Sequence, residues 1–564
     1  MTSATRSDTS RNASLFAVTA LALLFAGLSA RSLWGSEDRW AEISRQMLAT
    51  RDWFHPVING ELYFYKPLFT YWWIIATEWF TGVLDEFTVR LPSVMAGVIT
   101  LWATYSLGRR LWNAQVAWLA LWLLLTSYGF LFWTHAAAAE MANVAFIMLA
   151  VAWFFRNPGG TTFGNYLVFW LICAVGAEMK GLTAFIVPAL LLLPWLIRER
   201  RLLLHLNVAH LFAALIGIGV FLLPYLGAAL LPMHASYVLP GDGLSGLELI
   251  VHENMVRFFQ PFDHRDPVYS YLYHVPRLVL PWALLLIAAV YVAVRSYRKA
   301  DWQDRWLLEA ILLVFVFFTL SGSRRWYYIL PILPFCSLLI ARYLQALPAG
   351  SLHTVALLAT QLLLALVGVL LVASPLILLT QDIPVMPVLW VMSGGLLLLL
   401  PLIWLLRDRI LGLNSRIFVN ATLAASLVSA ALLMLSVFAV VLPYTDNFRH
   451  NKEFSLALRE QLLPGDRVAF YEHAPPDILF YLDLDDLTPV VTRLTPQGLG
   501  DATVLLVARR HHDRLAARLP QLYQAGPWLS QPVYQWQEDD EDVVSAWRVP
   551  GSRTFEDGAA ANHE

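Results

Sequence analysis

The chain reads as an all-α polytopic membrane protein with a small α/β domain at its C-terminal end. Of its 564 residues 58% are hydrophobic and only 14% are charged, too few charges to solvate a soluble protein of this size. Apolar runs of about 20 residues, the length that crosses a bilayer, recur along most of the chain. Beyond Tyr444 the sequence turns polar, with short apolar runs alternating with helix-like stretches. The mean hydropathy of +0.57 agrees with the bilayer as solvent. A net charge of -2 gives no reason to expect nucleic acid as a partner. The two cysteines, Cys173 and Cys336, sit in apolar segments without metal-ligand spacing and read as packing residues.

The first apolar stretch, Leu15 to Leu28, follows Arg6 and Arg11 and carries no clear cleavage site, so it reads as an uncleaved first span. Basic clusters at 108–110, Arg156, 198–201, 295–299, Arg342 and 407–409 belong on the cytoplasmic side. They share one side only if the short, Tyr- and Trp-rich stretch Pro67 to Phe80 is an interfacial helix and not a crossing. The expected crossings are then 14–30, 89–107, 114–132, 141–155, 164–178, 181–197, 207–232, 274–294, 306–320, 327–346, 352–379, 384–406 and 415–441, about thirteen in all. An odd number with a cytoplasmic N-terminus exposes a first outer loop, 31–88, and a second, 233–273. It also puts everything after residue 443 outside, in the periplasm of a Gram-negative cell. The organisation expected is a membrane domain over 1–443 with juxtamembrane helices on the outer face, an α/β domain over 444–554, and a disordered tail over 555–564. Within the α/β domain the apolar runs Arg467–Tyr471, Ile478–Leu482 and Thr503–Val507 read as strands, and Asn451–Leu462 and His512–Leu519 as helices.

Ionisable residues at membrane depth are costly, and here they accumulate at the outer ends of spans. They are Glu37, Asp38, Arg39 and Glu42; Lys66; His135 and Glu140; Glu178 and Lys180; His252, Glu253, Arg257, Asp263, His264 and Arg265; and Arg324 with Arg325. Any one of them alone is a solvated or snorkelling charge more often than a functional one. Acids beside several bases on one membrane face, however, suit a phosphate-bearing lipid: Lys and Arg hold the charge while a carboxylate orients or deprotonates an acceptor. A carrier would instead show ionisable residues at mid-span and inverted repeats, and neither is evident. His55, His135 and His264 lack paired spacing and read as hydrogen-bonding loop residues. The 23 Trp and 21 Tyr read mostly as an interfacial belt.

The first loop is the most informative stretch. S-E-D-R-W-A-E-I-S-R-Q-M-L from Ser36 starts an amphipathic helix, with Ser36 as expected N-cap and acids in the first turn. Asn59-Gly60 carries turn chemistry, and Pro67 stiffens the chain after Lys66.

The run from Leu33 to Trp72 closely resembles the first periplasmic loop of the bacterial aminoarabinose transferases that modify lipid A, which belong with the protein O-mannosyltransferases to the GT-C glycosyltransferases. The resemblance continues through V-R-L-P at Val89, G-R-R-L-W at Gly108, M-K-G at Met179, H-E-N-M-V-R-F at His252, D-H-R-D-P at Asp263 and L-P-W at Leu280, covering most of the first 345 residues. It implies a GT-C fold and transfer of a sugar from a polyprenyl-phosphate donor, such as an undecaprenyl phosphate, to lipid A or another envelope acceptor on the periplasmic face of the inner membrane. By position it makes Glu37, Asp38 and Glu140 the catalytic acids. Lys66, Lys180, Arg257 and Arg265 become the donor-phosphate residues. Arg324, another outer base, is expected beside them, and Arg39, Tyr63, Tyr65, His252, Glu253 and His264 are expected as substrate contacts. Tyr65 stands where the aminoarabinose enzymes carry an acid implicated in metal binding, so the resemblance assigns no divalent metal or other cofactor here. The chain is expected to act as a monomer. Two readings of other classes stay open at this level, a lipid-linked-sugar flippase and a non-catalytic polyprenyl-lipid-binding envelope protein.

Overall fold

The computed structural model describes residues 3–234, 237–238, 266–346, 351–373, 395, 415–446, 449–484, 487–532 and 541–549. The expected crossing 384–406 (Gly395 apart), the tail 555–564 and the candidates His252, Glu253, Arg257, Asp263, His264 and Arg265 lie outside the described residues. The chain divides into two compact units, one holding residues 1–31, 64–232 and 244–444, the other 32–63, 233–243 and 445–564.

The first unit opens with α1 (Ser3–Phe25). The chain then contributes α2 (Glu37–Thr50) and the two short strands β1 (Val57–Ile58) and β2 (Glu61–Leu62) to the second unit before returning. There follow α3 (Phe69–Thr81), α4 (Glu86–Leu111), α5 (Ala114–Leu125), α6 (Tyr128–Thr134), α7 (Ala139–Arg156), α8 (Phe163–Lys180), α9 (Thr183–Arg198), α10 (Leu202–His205) and α11 (Val208–Leu230). Beyond the second loop come α12 (Ser270–Val279), α13 (Ala283–Ser296), α14 (Trp302–Leu320), α15 (Leu333–Ala346), α16 (Ser351–Ala373) and α17 (Ser415–Ser436). The expected crossings within the described residues fall on these helices, two of them divided between a pair. Among the described residues Glu86–Leu111, Ala139–Arg156, Val208–Leu230, Thr354–Ala373 and Asn420–Asp446 are each long and apolar enough to cross a membrane alone. At 13 residues, α3 spans about 20 Å and is too short to do so. It ends at Gly82, whose φ of 76° suits glycine.

Two expected straight spans are broken. Between α5 and α6 the axis turns by 66°, and between α12 and the helical run Ala283–Lys299 by 116°. The causes are local. Thr126 and Ser127 turn their hydroxyls back onto the carbonyls of Trp122 and Leu123, both at 2.6 Å, and Pro281 has no N–H to continue a helix. The two breaks repair each other: the Tyr128 amide donates to the Leu280 carbonyl at 2.8 Å, and the Trp282 indole N–H donates to Thr126 Oγ1 at 3.1 Å. Gly129 lets the segments approach, since a Cβ there would lie 2.9 Å from the Leu278 carbonyl oxygen and 3.0 Å from its Cα.

The polar contacts sort into two ends. At one, Arg110 donates to the Arg156 carbonyl, Arg198 meets Glu309 and Tyr297, and Arg342 and the Trp112 indole both reach Asp304. These are the loops that the charge bias assigned to one side. At the other, the fully buried Arg90 donates to the carbonyls of Leu28 (2.7 Å) and Arg31 (2.9 Å). The Arg31 guanidinium reaches the His135 carbonyl, and the His135 ring bonds the carbonyls of Ala26 and Leu131. Carbonyls beyond the end of α1, which no helical turn serves, are satisfied in this way. His135 is the hydrogen-bonding residue that its lone spacing suggested.

In the second unit, Val57–Ile58 pairs antiparallel with Glu61–Leu62 through Asn59 (φ 51°) and Gly60 (φ 84°), the left-handed pair of a type I′ hairpin. The Asn59 side chain exchanges hydrogen bonds with the Thr488 backbone at 2.6 and 2.9 Å. The remaining elements are α18 (Asn451–Gln461), β3 (Val468–Tyr471), α19 (Pro476–Leu482), β4 (Val490–Val491), β5 (Val504–Ala508), α20 (His512–Arg518), α21 (Pro520–Gln524), β6 (Leu529–Ser530) and β7 (Val544–Arg548). The sheet runs β4-β3-β5-β7-β6, with β3 parallel to β4 and β5, and β7 antiparallel to β5 and β6. Both faces are covered. Phe454, Leu458, Ile478 and Leu482 pack on one, and Leu515, Leu522 and Trp547 belong to the other. The run Ile478–Leu482, expected as a strand, is helix α19, because Pro475 and Pro476 pre-set its first turn. Ser36 precedes α2 without a side-chain cap; Glu37 accepts the Trp34 amide instead, at 3.1 Å.

Because Gly129 has no room for a methyl group, Gly129→Ala should lower stability by about 1–3 kcal/mol. Gly164→Ala, in α8 with nothing near its Cβ, should leave stability unchanged or raise it by about 0.5–1 kcal/mol. Thermal unfolding followed by tryptophan fluorescence on detergent-solubilised protein separates the two.

Candidate functional site

In the membrane unit the candidate residues are placed by helix ends. Glu140 lies in the first turn of α7 and Lys180 is the last residue of α8, each at the end whose partial charge favours it. Their side chains meet at 3.3 Å and are both largely buried, Lys180 17% and Glu140 13% exposed. The ammonium also lies 5.2 Å from the ring centre of Tyr327 and 5.5 Å from that of Tyr328. A cation with one carboxylate and two aromatic faces as neighbours is held at a fixed point yet keeps donor capacity for a further anion. Beside it the Thr183 hydroxyl donates to Asn143 at 3.2 Å, and Thr70 of α3 donates to the Met179 carbonyl at 3.0 Å. Lys66 and Tyr65 are half-buried just before α3. Glu178 is fully buried, with neither oxygen hydrogen-bonded among the described residues.

Arg324 is engaged by backbone. Its guanidinium donates to the carbonyls of Asp266 (2.7 Å), Thr319 (3.3 Å) and Ser321, closing the C-terminal end of α14. Arg277 lies 4.9 Å from the ring centre of Trp326. Tyr327 and Tyr328 were not singled out from the sequence. The signal was present in S-R-R-W-Y-Y, where aromatic residues follow paired arginines at a span end.

In the second unit Glu37 and Asp38 open α2. Glu37 is 3% exposed. Asp38 is half-buried and accepts the Arg39 amide at 2.6 Å. Burial and the nearby carboxylate of Asp477 push the Asp38 carboxyl up to about 7, outweighing Arg39, which pulls it down. Arg39 donates to the Tyr63 hydroxyl at 2.8 Å. Glu42 is fully buried and takes Arg45 at 2.8 and 2.9 Å and the Gln46 amide at 2.6 Å, so it is a structural acid of α2. His55 bonds Asp52, three residues before it, at 2.9 Å, again a local structural contact. Among the described residues no three His, Cys, Asp or Glu side chains converge to hold a metal ion.

Comparison with known proteins agrees with this architecture. Residues 34–232 match the family described as dolichyl-phosphate-mannose-protein mannosyltransferase. The undecaprenyl phosphate-alpha-4-amino-4-deoxy-L-arabinose arabinosyl transferase 1 of Pseudomonas fluorescens is 31% identical over 54% of this chain and 53% of its own length. A second such transferase, from Sodalis glossinidius, is 32% identical over 56% of each. The match thus spans about half the length of these relatives. The crystal structure of ArnT from Cupriavidus metallidurans bound to undecaprenyl phosphate superposes with a TM-score of 0.69 at 20% identity, over 95% of this chain and 97% of that one. The archaeal oligosaccharyltransferase AglB of Archaeoglobus fulgidus follows with a TM-score of 0.51 at 11% identity, over 89% of this chain and 70% of that one. The chain thus shares the fold of ArnT over nearly its whole length, and over residues 34–232 its sequence is similar to the protein mannosyltransferase family.

Proposed function

We propose that this protein moves a sugar from an undecaprenyl-phosphate-type donor to an acceptor on the periplasmic side of the inner membrane, the acceptor being lipid A or another envelope glycan. The observation that carries the reading is the Glu140–Lys180 pair flanked by Tyr327 and Tyr328 in the membrane unit. When the bond between the sugar's anomeric carbon and the phosphate oxygen breaks, the polyprenyl phosphate leaves with an added negative charge. Lys180, together with Lys66, is suited to stabilise that charge in a site partly shielded from water. Glu140 holds the Lys180 ammonium in place before the donor arrives. Arg257 and Arg265 of the second loop are the further bases assigned to the phosphate, whereas Arg324, expected among them, is held by the carbonyls of Asp266, Thr319 and Ser321.

The new bond forms between the anomeric carbon and an acceptor oxygen. If that oxygen is a hydroxyl, its proton passes to Glu37 or Asp38, and a carboxylate whose proton affinity lies near neutrality is the better base for the task. If the acceptor is a phosphate it is already anionic, no base is needed, and the same carboxylates orient an amino sugar. Arg39, Tyr63 and Tyr65, with His252, Glu253 and His264 of the second loop, are the side chains assigned to sugar and acceptor. The protein is expected to work as a monomer.

Mass spectrometry of envelope lipids from a deletion strain tests this. A defined sugar mass should disappear, return with the wild-type gene, and fail to return with Glu37→Gln, Asp38→Asn or Glu140→Gln, at least one of which should lower turnover by about 10²-fold or more. A phenotype that all three variants rescue would point to a lipid-binding scaffold or a flippase. In purified protein, Lys180→Gln should weaken undecaprenyl phosphate binding by roughly 10- to 100-fold, the worth of one charge-assisted contact, measured by intrinsic fluorescence titration. An unchanged affinity would remove Lys180 from the donor site.

A further inference from the structure

The C-terminal domain carries a carboxyl of its own to the first loop. Asp477 is the second residue of α19, and α19 packs against α2. The Leu33 amide, just ahead of α2, donates to the Tyr481 hydroxyl at 2.8 Å. Arg45 of α2 reaches Asp483 at 3.3 Å and the Leu484 carbonyl at 3.1 Å. Asp477 is gripped from its own side. Its Oδ1 accepts the Ile478 amide at 2.9 Å and its Oδ2 accepts the Asn451 side-chain amide. The Asn451 oxygen takes the Gln531 amide at 2.5 Å, and the Gln531 oxygen takes the Val544 N–H of β7 at 2.9 Å. Gln531 is 6% exposed, so the relay is built into the domain. It runs from the sheet to the first turn of α19, the helix that packs against α2, which Glu37 and Asp38 open.

We propose that Asp477 is a positioning residue for the first loop's candidate catalytic carboxyl: the C-terminal domain holds a second acid against Asp38 and so sets the protonation state that Asp38 presents to the acceptor. This rests on the transferase reading above. The charges that act on Asp38 are those of Glu37 and Arg39 of α2 and Asp477 of α19. Burial is the largest influence, Asp477 and Glu37 add to it, and Arg39 opposes it. Asp477 is itself displaced upward by burial, against the hydrogen bonds from Asn451 and the Ile478 amide and the charge of His473. Two interacting acids of this kind titrate as a pair, so removing one charge lets the other ionise at lower pH.

The test uses the full chain. A carboxyl whose proton affinity rises on folding stabilises the fold as pH drops from about 8 toward 4, so the wild-type melting temperature should rise over that window relative to Asp38→Asn. The midpoint of that difference curve reports the titration of Asp38. Measured in the Asp477→Asn background, against Asp477→Asn with Asp38→Asn, it should move acidward by about one pH unit. Asp477→Glu should restore it. Asn451→Leu leaves both acids in place and removes the donor that favours ionised Asp477; it should give a smaller shift in the same direction and serves if Asp477→Asn does not fold.

With a polyprenyl-phosphate sugar as donor, the acid limb of the rate profile should follow the same shift. A midpoint that stays in place in Asp477→Asn overturns the proposal, as does equal damage from Asp477→Asn and Asp477→Glu. If wild type transfers no sugar at any pH while the melting midpoint still moves, the transferase reading fails and the Asp38–Asp477 coupling stands.

Discussion

Hydrocarbon offers no hydrogen bonds, so a helix that breaks within a membrane unit must find partners for its freed backbone inside the protein, at several kcal/mol for each group left unserved. The membrane unit here depends on that constraint at its two bends. The amide freed at Tyr128 is paired to the carbonyl freed at Leu280, and the Thr126 hydroxyl, already turned onto its own helix, also receives the Trp282 indole. Neither bend would be tolerable alone. The same rule explains Arg90, a fully buried guanidinium on α4 that donates to the carbonyls of Leu28 and Arg31. What looks in the sequence like a charge misplaced in a span serves the backbone just beyond α1.

Charges at the other end of the bundle are treated differently. Arg198, Arg342 and Arg110 find acids of α14, a phenol or a carbonyl of a neighbouring segment, which ties together the loops that the positive-inside rule grouped. Lys180 has a carboxylate and two ring faces, an arrangement that immobilises a cation without saturating its donors. The contrast with Arg324, engaged by three carbonyls, separates a cation with donors to spare from one that closes a helix end.

The spans were legible because apolar length alone reports them, and the hairpin because Asn59-Gly60 specifies left-handed backbone at both positions. The bends were not: Thr126-Ser127 and Leu280-Pro281 lie inside apolar runs, where hydropathy sees continuity. Helix α19 was misread for a related reason, since a five-residue apolar run has no periodicity to decide between strand and helix, and only Pro475-Pro476 marks it. Ser36 carries the right chemistry for a cap but sits in helical backbone, so its hydroxyl does not serve. Of the candidate site, the pairing of Glu140 with Lys180 follows from helix-end placement that sequence could suggest. Tyr327, Tyr328 and Asp477 come to their neighbours only through tertiary folding, and no local pattern announces that.

Among the described residues the sheet of the C-terminal domain ends on β4 and β6, strands of two residues each. A two-residue edge exposes too short a row of backbone groups to template another strand, which is one way native sheets avoid adding copies of themselves. A domain built so is guarded against fibrillar self-association through those strands. Any recognition it performs must then run through side chains and helix faces rather than through main-chain pairing at the sheet edge.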